Sequence, residues 1–277
     1  RNSVKVSKEH IFSSIFVNNT YFSVGKMGLV YRSQDGENWD VIFKSDKGVE
    51  LKSITHGDPG YVAVGSQGFI AFSKNGKSWK SVKAQSYDES FQAVAFGNSV
   101  FVAVGEDGMV QTSEDGTQWE RSAQLSTDLA GIVFGNEKYV AVGEQGNIYF
   151  STDSKAWQRS KGTEYLGDYK SVAFSKGLFV AVGTDGEITT SKDAMGWKSE
   201  KNQFTGDYIS VKAVLSKSGE HFFLTDGHRI FKSLDGKSWT GQYKFLLQPG
   251  LSDFVSDGEV TTAFGKNGML FKQIEVK

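Results

Sequence analysis

Cysteine is absent from this chain of 277 residues, so neither a disulfide nor a thiolate metal site is available to it. That absence leaves the compartment open. Only two prolines occur. Arginine is scarce: Arg1, Arg32, Arg121, Arg159 and Arg229 are the full set. No apolar run approaches the roughly 18 residues of a membrane helix, so no membrane span is expected. Neither sign of charge dominates, because 31 Lys and Arg face 32 Asp and Glu, for a formal net charge of −1. Without a basic stripe, nucleic acid is not an expected partner.

What the chain has in abundance is itself. Phe101-Val102-Ala103-Val104-Gly105-Glu106-Asp107-Gly108 runs on to Ser113, Asp115, Gly116 and Trp119. Tyr61 to Gly65 leads likewise to Ser73, Asn75, Gly76 and Trp79. Tyr139 to Gly143 leads to Ser151, Asp153 and Trp157, and Phe179 to Gly183 leads to Ser191, Asp193 and Trp197. The Val-Gly glycines at 25, 65, 105, 143, 183 and 265 step by about 40 residues, with Thr225 standing where the sixth would fall. Seven copies fit, and 32 glycines supply tight turns.

Each copy reads as four short strands. In the third these are Phe91 to Phe96, Val100 to Gly105, Met109 to Ser113 and Trp119 to Ala123, with Gly97-Asn98 as a hairpin turn. The second strand is apolar on both faces, the pattern of a strand covered on both sides. Sheets stacked radially are covered in that way. The expectation is therefore an all-β fold, a seven-bladed β-propeller of four-stranded antiparallel blades. Its blades should span about 11–45, 50–85, 90–125, 129–161, 169–202, 208–243 and 251–277 of one domain. Residues 2–7 align with the outer strand after Trp79, so the N-terminal strand should close the last blade and remove an exposed edge.

Ser-x-Asp-Gly-x-x-Trp, as at Ser33/Asp35/Gly36/Trp39, Ser113/Asp115/Gly116/Trp119 and Ser233/Asp235/Gly236/Trp239, resembles the Asp-box or BNR repeat of sialidase-like propellers. Asn75 replaces the aspartate once, and Ser154 and Ala194 replace the glycine. The aspartate-to-tryptophan spacing is one residue shorter than in the sialidase form. With Val-Ala-Val-Gly-x-x-Gly added, the chain is similar over its whole length to Ycf48-type photosystem assembly factors and to BNR-like propellers of bacterial envelope proteins. That resemblance implies an exported, non-catalytic module that binds a nascent or membrane-protein partner. The arginine patch of that group's partner-binding face is missing here, which argues against photosystem work. The start at Arg1 rather than Met fits a processed or excised product, either a monomer or one module of a larger protein. The box residues themselves read as turn devices, with side chains capping nearby backbone.

A sialidase needs three converging guanidiniums, and this chain cannot supply them. Other glycosidases need only two suitably spaced carboxylates, so a glycoside hydrolase or lyase stays as an alternative. His10, His56, His221 and His228 fall at unrelated repeat positions, and no metal-ligand spacing or cofactor motif appears. Gly-x-x-Gly leads into no helix and reads as a turn rather than a phosphate cradle.

The resemblance sends the blade-to-blade connectors and the turns between second and third strands to one face. There the chain carries Tyr87, Asp88, Phe91, Glu106, Asp107, Glu164, Tyr165, Asp168, Tyr169, Asp185, Phe204, Asp207 and Tyr208, with Glu144 nearby. Carboxylates beside aromatic rings suit a cationic protein or peptide segment or, if the chain is instead a carbohydrate-binding module or adhesin head, a glycan. The alternative is that these tyrosines merely anchor loops. Asp226, His228 and Arg229 join the candidate face because the sixth copy breaks the repeat there.

Overall fold

The computed structural model describes residues 4–5, 9–46, 48–83, 89–162, 165–200, 206–216, 219–244 and 250–272. Seven four-stranded antiparallel sheets make up the chain, and no α-helix occurs among the described residues. In blade three the strands are Phe91–Gly97, Val100–Gly105, Met109–Ser113 and Glu120–Gln124, ordered from the axis outward. The innermost strands of the other blades are Ile11–Val17, Leu51–Gly57, Leu129–Gly135, Tyr169–Ser175, Ser210–Ser216 and Asp253–Ser256. Each packs against the next, and the seventh packs against the first, so the ring is closed. The outer strand of blade seven is Val4–Lys5, paired with Leu270 and Met269.

The core lies between blades rather than within one. Second strands such as Tyr139 to Gly143 are buried along both faces. One mixed cluster joins Val62, Ile70 and Phe72 of blade two to Phe91, Phe101 and Trp119 of blade three. Val-Ala-Val is therefore a sandwich filling, apolar on each side because a sheet lies on each side.

The turns explain the rest of the repeat. Gly105 is extended, at φ −174°, so its glycine answers to space rather than to backbone conformation. A β-carbon there would lie 2.0 Å from the Ser90 carbonyl of the incoming connector, whose oxygen accepts the Glu106 N–H at 3.0 Å. The Ser-x-Asp turns behave as expected. Asp115 Oδ1 accepts the N–H groups of Thr117 and Gln118, both at 2.7 Å, and Ser113 Oγ accepts that of Gly116 at 2.9 Å. Gly116 takes the left-handed shape, φ +75°, and its carbonyl accepts from Trp119 Nε1 at 3.1 Å.

The sixth blade needs a correction. Thr225 pairs with Ile230 as Val182 pairs with Ile188. Asp226, not Thr225, thus stands at the glycine register, and the turn is one residue shorter than in blade five. The register shift near the start of the innermost strand, present in blades one to five, is absent from blade six.

Candidate functional site

The strand directions sort the loops onto two faces. Phe91 pairs with Gly105, so the connector entering blade three and the turn leaving its second strand share one end. The Ser-x-Asp turns lie at the other. On the connector face, Phe91, Tyr169 and Tyr208 are fully buried at 0% exposure. They occupy one register with Ile11, Leu51, Leu129 and Leu251, which are buried as deeply. These three rings belong to the inter-blade core, which corrects their assignment to a ligand-contacting surface. Tyr165 is half-buried. Its hydroxyl meets Thr184 Oγ1 at 2.6 Å and its ring lies 4.9 Å from that of Tyr169, so it pins its connector. Burial raises the pKa of its phenol. Tyr87, Asp88, Glu164 and Phe204 lie outside the described residues.

Several of the predicted carboxylates also serve the scaffold. Glu106 accepts the Ser90 N–H at 2.8 Å. Asp207 accepts the Asp185 N–H at 3.0 Å, and Asp168 accepts that of Gln145 at 3.3 Å. Asp128 does the same for Asp107 at 2.7 Å. Each of the last three fastens the preceding blade's turn. The ion pair with Lys170 at 3.0 Å holds the Asp168 carboxyl below the usual range. Asp226 accepts the N–H groups of His228 and Arg229 and pairs with the Arg229 guanidinium, which sits 5.1 Å from the Phe231 ring. His228 is exposed on that turn.

Three carboxylates remain over. Asp107, Glu144 and Asp185 are exposed at the tips of successive turns in blades three, four and five. Among the described residues, none of their carboxylates takes a hydrogen bond or an ion pair. Asp107 and Glu144 border a crevice of about 620 Å³ between blades three and four, with Asp128 in its wall. Arg121 in the same crevice pairs with Glu89 at 3.3 Å. Leu166, 83% exposed, stands beside the turns of blades four and five, and half-exposed Ile209 follows in blade six. The equivalent turns of blades one and seven begin instead with Lys26 and Lys266. The acidic sector is thus confined to one side of the face. Asp128 could have been found in the sequence, since it shares its register with Asp168 and Asp207.

Along the axis lies a second cavity, of about 580 Å³, lined by all seven innermost strands. Two carboxylates, Glu50 and Asp253, reach it. Asp253 is held by Lys212 at 2.8 Å, and Glu50 lies 3.9 Å from Lys26. Among the described residues, no group of three or more His, Asp and Glu side chains could hold a metal ion.

No protein-family model matches the chain, and no curated protein does. Solved structures do. A structure of Ycf48 bound to a D1 peptide shares 14% identity over 99% of this chain and 94% of its own, with a TM-score of 0.75. The WD40 propeller of Doa1 shares 13% identity over 99% and 96%, also at 0.75. Virginiamycin B lyase from Staphylococcus aureus shares 9% identity over 98% and 97%, at 0.80. At these identities the likeness is one of fold: a seven-bladed propeller. The similar solved structures thus include a peptide-bound propeller and a mitotic checkpoint complex as well as lyases.

Proposed function

We propose that this propeller is a non-catalytic binding module whose connector face, over blades three to five, takes a lysine- or arginine-bearing protein segment. One observation carries the reading: Asp107, Glu144 and Asp185 project from adjacent turns with no partner among the described residues. Charges left over on a fixed frame attract and orient an oppositely charged segment. Leu166, exposed next to the blade-four turn, offers apolar contact. The neighbour with a bound peptide supports a peptide ligand, and the one from a mitotic checkpoint complex supports a protein partner. A glycan fits less well, because among the described candidate rings Phe91, Tyr169 and Tyr208 are buried and the Tyr165 hydroxyl is engaged by Thr184. The lyase neighbours keep an enzyme as the rival reading, but Asp253, one of the two axial carboxylates, is engaged by Lys212 and by the Ser14 N–H. An exported location belongs to the same proposal, and cell fractionation tests it.

The test is binding of a lysine-rich decapeptide to the native chain and to the triple variant D107K/E144K/D185K. Affinity should fall by at least about tenfold while the melting temperature stays near that of the native protein. Equal binding by both proteins would overturn the proposal, as would tighter binding of neutral glycans on an array.

A further inference from the structure

We propose that Lys212 and Asp253 form a clamp that closes the ring, tying blade six and blade seven to blade one across the wall of the axial cavity. The repeat itself shows that the two residues are out of pattern. In the register of Asp253 the other blades carry Ser13, Ser53, Ala93, Gly131, Ser171 and Ser210, fixed by their pairing with the second strand. In the register of Lys212 they carry Ile15, Thr55, Ala95, Val133, Ala173 and Val255. One anion and one cation thus enter at adjacent blades, in positions that are otherwise small, apolar or hydroxylic.

Their geometry converges on a single residue of blade one. Asp253 Oδ2 accepts the Ser14 N–H at 2.6 Å. Lys212 Nζ donates to the Ser14 carbonyl and to both Asp253 oxygens, at 3.1 and 2.8 Å. The pair therefore satisfies the donor and the acceptor of Ser14 together, as a neighbouring strand would. Other seams do half of this. Ser53 Oγ accepts the Val94 N–H at 3.2 Å, and Ser171 Oγ donates to the Val211 carbonyl at 3.2 Å. A hydroxyl spans two adjacent blades, whereas the lysine reaches past blade seven from blade six to blade one.

The site is secluded enough for charge to matter. The Asp253 side chain is 7% exposed and that of Lys212 29%. Removing one member of such a pair strands the other charge away from water, which costs more than the pair contributes when intact. Other fastenings at this seam are the outer strand Val4–Lys5, which pairs through two residues among the described ones, the Ser252 hydroxyl donating to the Ile11 carbonyl at 2.6 Å, and apolar packing of Ile11 and Tyr21 against Val255 and Phe264. On this inference the clamp, and not that short strand, keeps the seam between blades seven and one shut.

Amide exchange of Ser14 reads the seam directly, with Val94 as the internal reference at an unaltered seam. In D253S and in K212A, Ser14 exchange should accelerate at least about tenfold while Val94 stays at the native rate. In K212A/D253S, which restores the residue types of the other blades, Ser14 should exchange more slowly than in D253S. In Lys5→Pro, which removes an N–H from the outer strand, Ser14 should keep its protection. Native-like Ser14 exchange in both single variants would overturn the proposal. So would equal acceleration at Val94, or Lys5→Pro opening the seam as far as D253S does. If D253S does not fold, D253N decides: it keeps an acceptor for Ser14 but loses the ion pair, and native-rate exchange there would overturn the clamp.

Discussion

At the scale of single residues, the carboxylates divide by what holds them. Asp115 is pushed up by partial desolvation and pulled down further by the Gln118 and Thr117 N–H groups, ending at about 2. Neighbouring N–H groups likewise lower Asp35, Asp153 and Asp193. A carboxyl lowered on folding adds stability above its unfolded value, and that stability is lost as pH falls through the folded value. Melting temperature should therefore fall between about pH 4 and about pH 2, and D115N should show a shallower fall. At neutral pH, D115N should be nearly neutral, because Asn75 already caps the Lys77 and Ser78 N–H groups in blade two. D115A should cost about 1 kcal/mol in urea unfolding. Tyr208→Ala should cost about 3–5 kcal/mol by the same measurement, because a fully buried ring is removed. Asp185→Asn should change stability by less than about 0.5 kcal/mol. The box turns were legible in the sequence because their chemistry is local. The buried state of Phe91, Tyr169 and Tyr208 was not, because an aromatic residue at the end of a polar connector looks the same whether it faces water or a neighbouring blade. Only their common register with Ile11 and Leu51 separates the two.

At the scale of the element, the strand ends carry the repeat. The four strands of blade three fall within a residue of the positions that the hydrophobic pattern indicates. The Val-Gly glycine was visible as a marker, but its reason was not. It leaves room for a connector carbonyl that arrives from the preceding blade, a contact that spacing along one copy does not reveal. Gly105→Ala should therefore destabilise by about 1–3 kcal/mol in thermal unfolding, by overpacking against Ser90. The shortened turn of blade six escaped the sequence for a related reason. Deleting one turn residue shifts the pairing register, and only the partner strand shows where the shift falls.

At the scale of the whole molecule, closure sets the frame and the connector face is left with the variation. Binding of a lysine-rich peptide should weaken at least about tenfold when ionic strength is raised from low to well above physiological, since exposed carboxylates are screened within a Debye length of about 8 Å at 0.15 M. Salt-independent binding would point away from the acidic sector. The connector carbonyls of blades one to five and the carboxylates Asp128, Asp168 and Asp207 grip the backbone of a turn from outside it. Tip side chains such as those of Asp107 and Asp185 take no part in that grip. The turns are therefore interchangeable cartridges seated in a rigid socket, and new recognition specificities can be dialled in at the tips without redesigning the barrel of blades beneath.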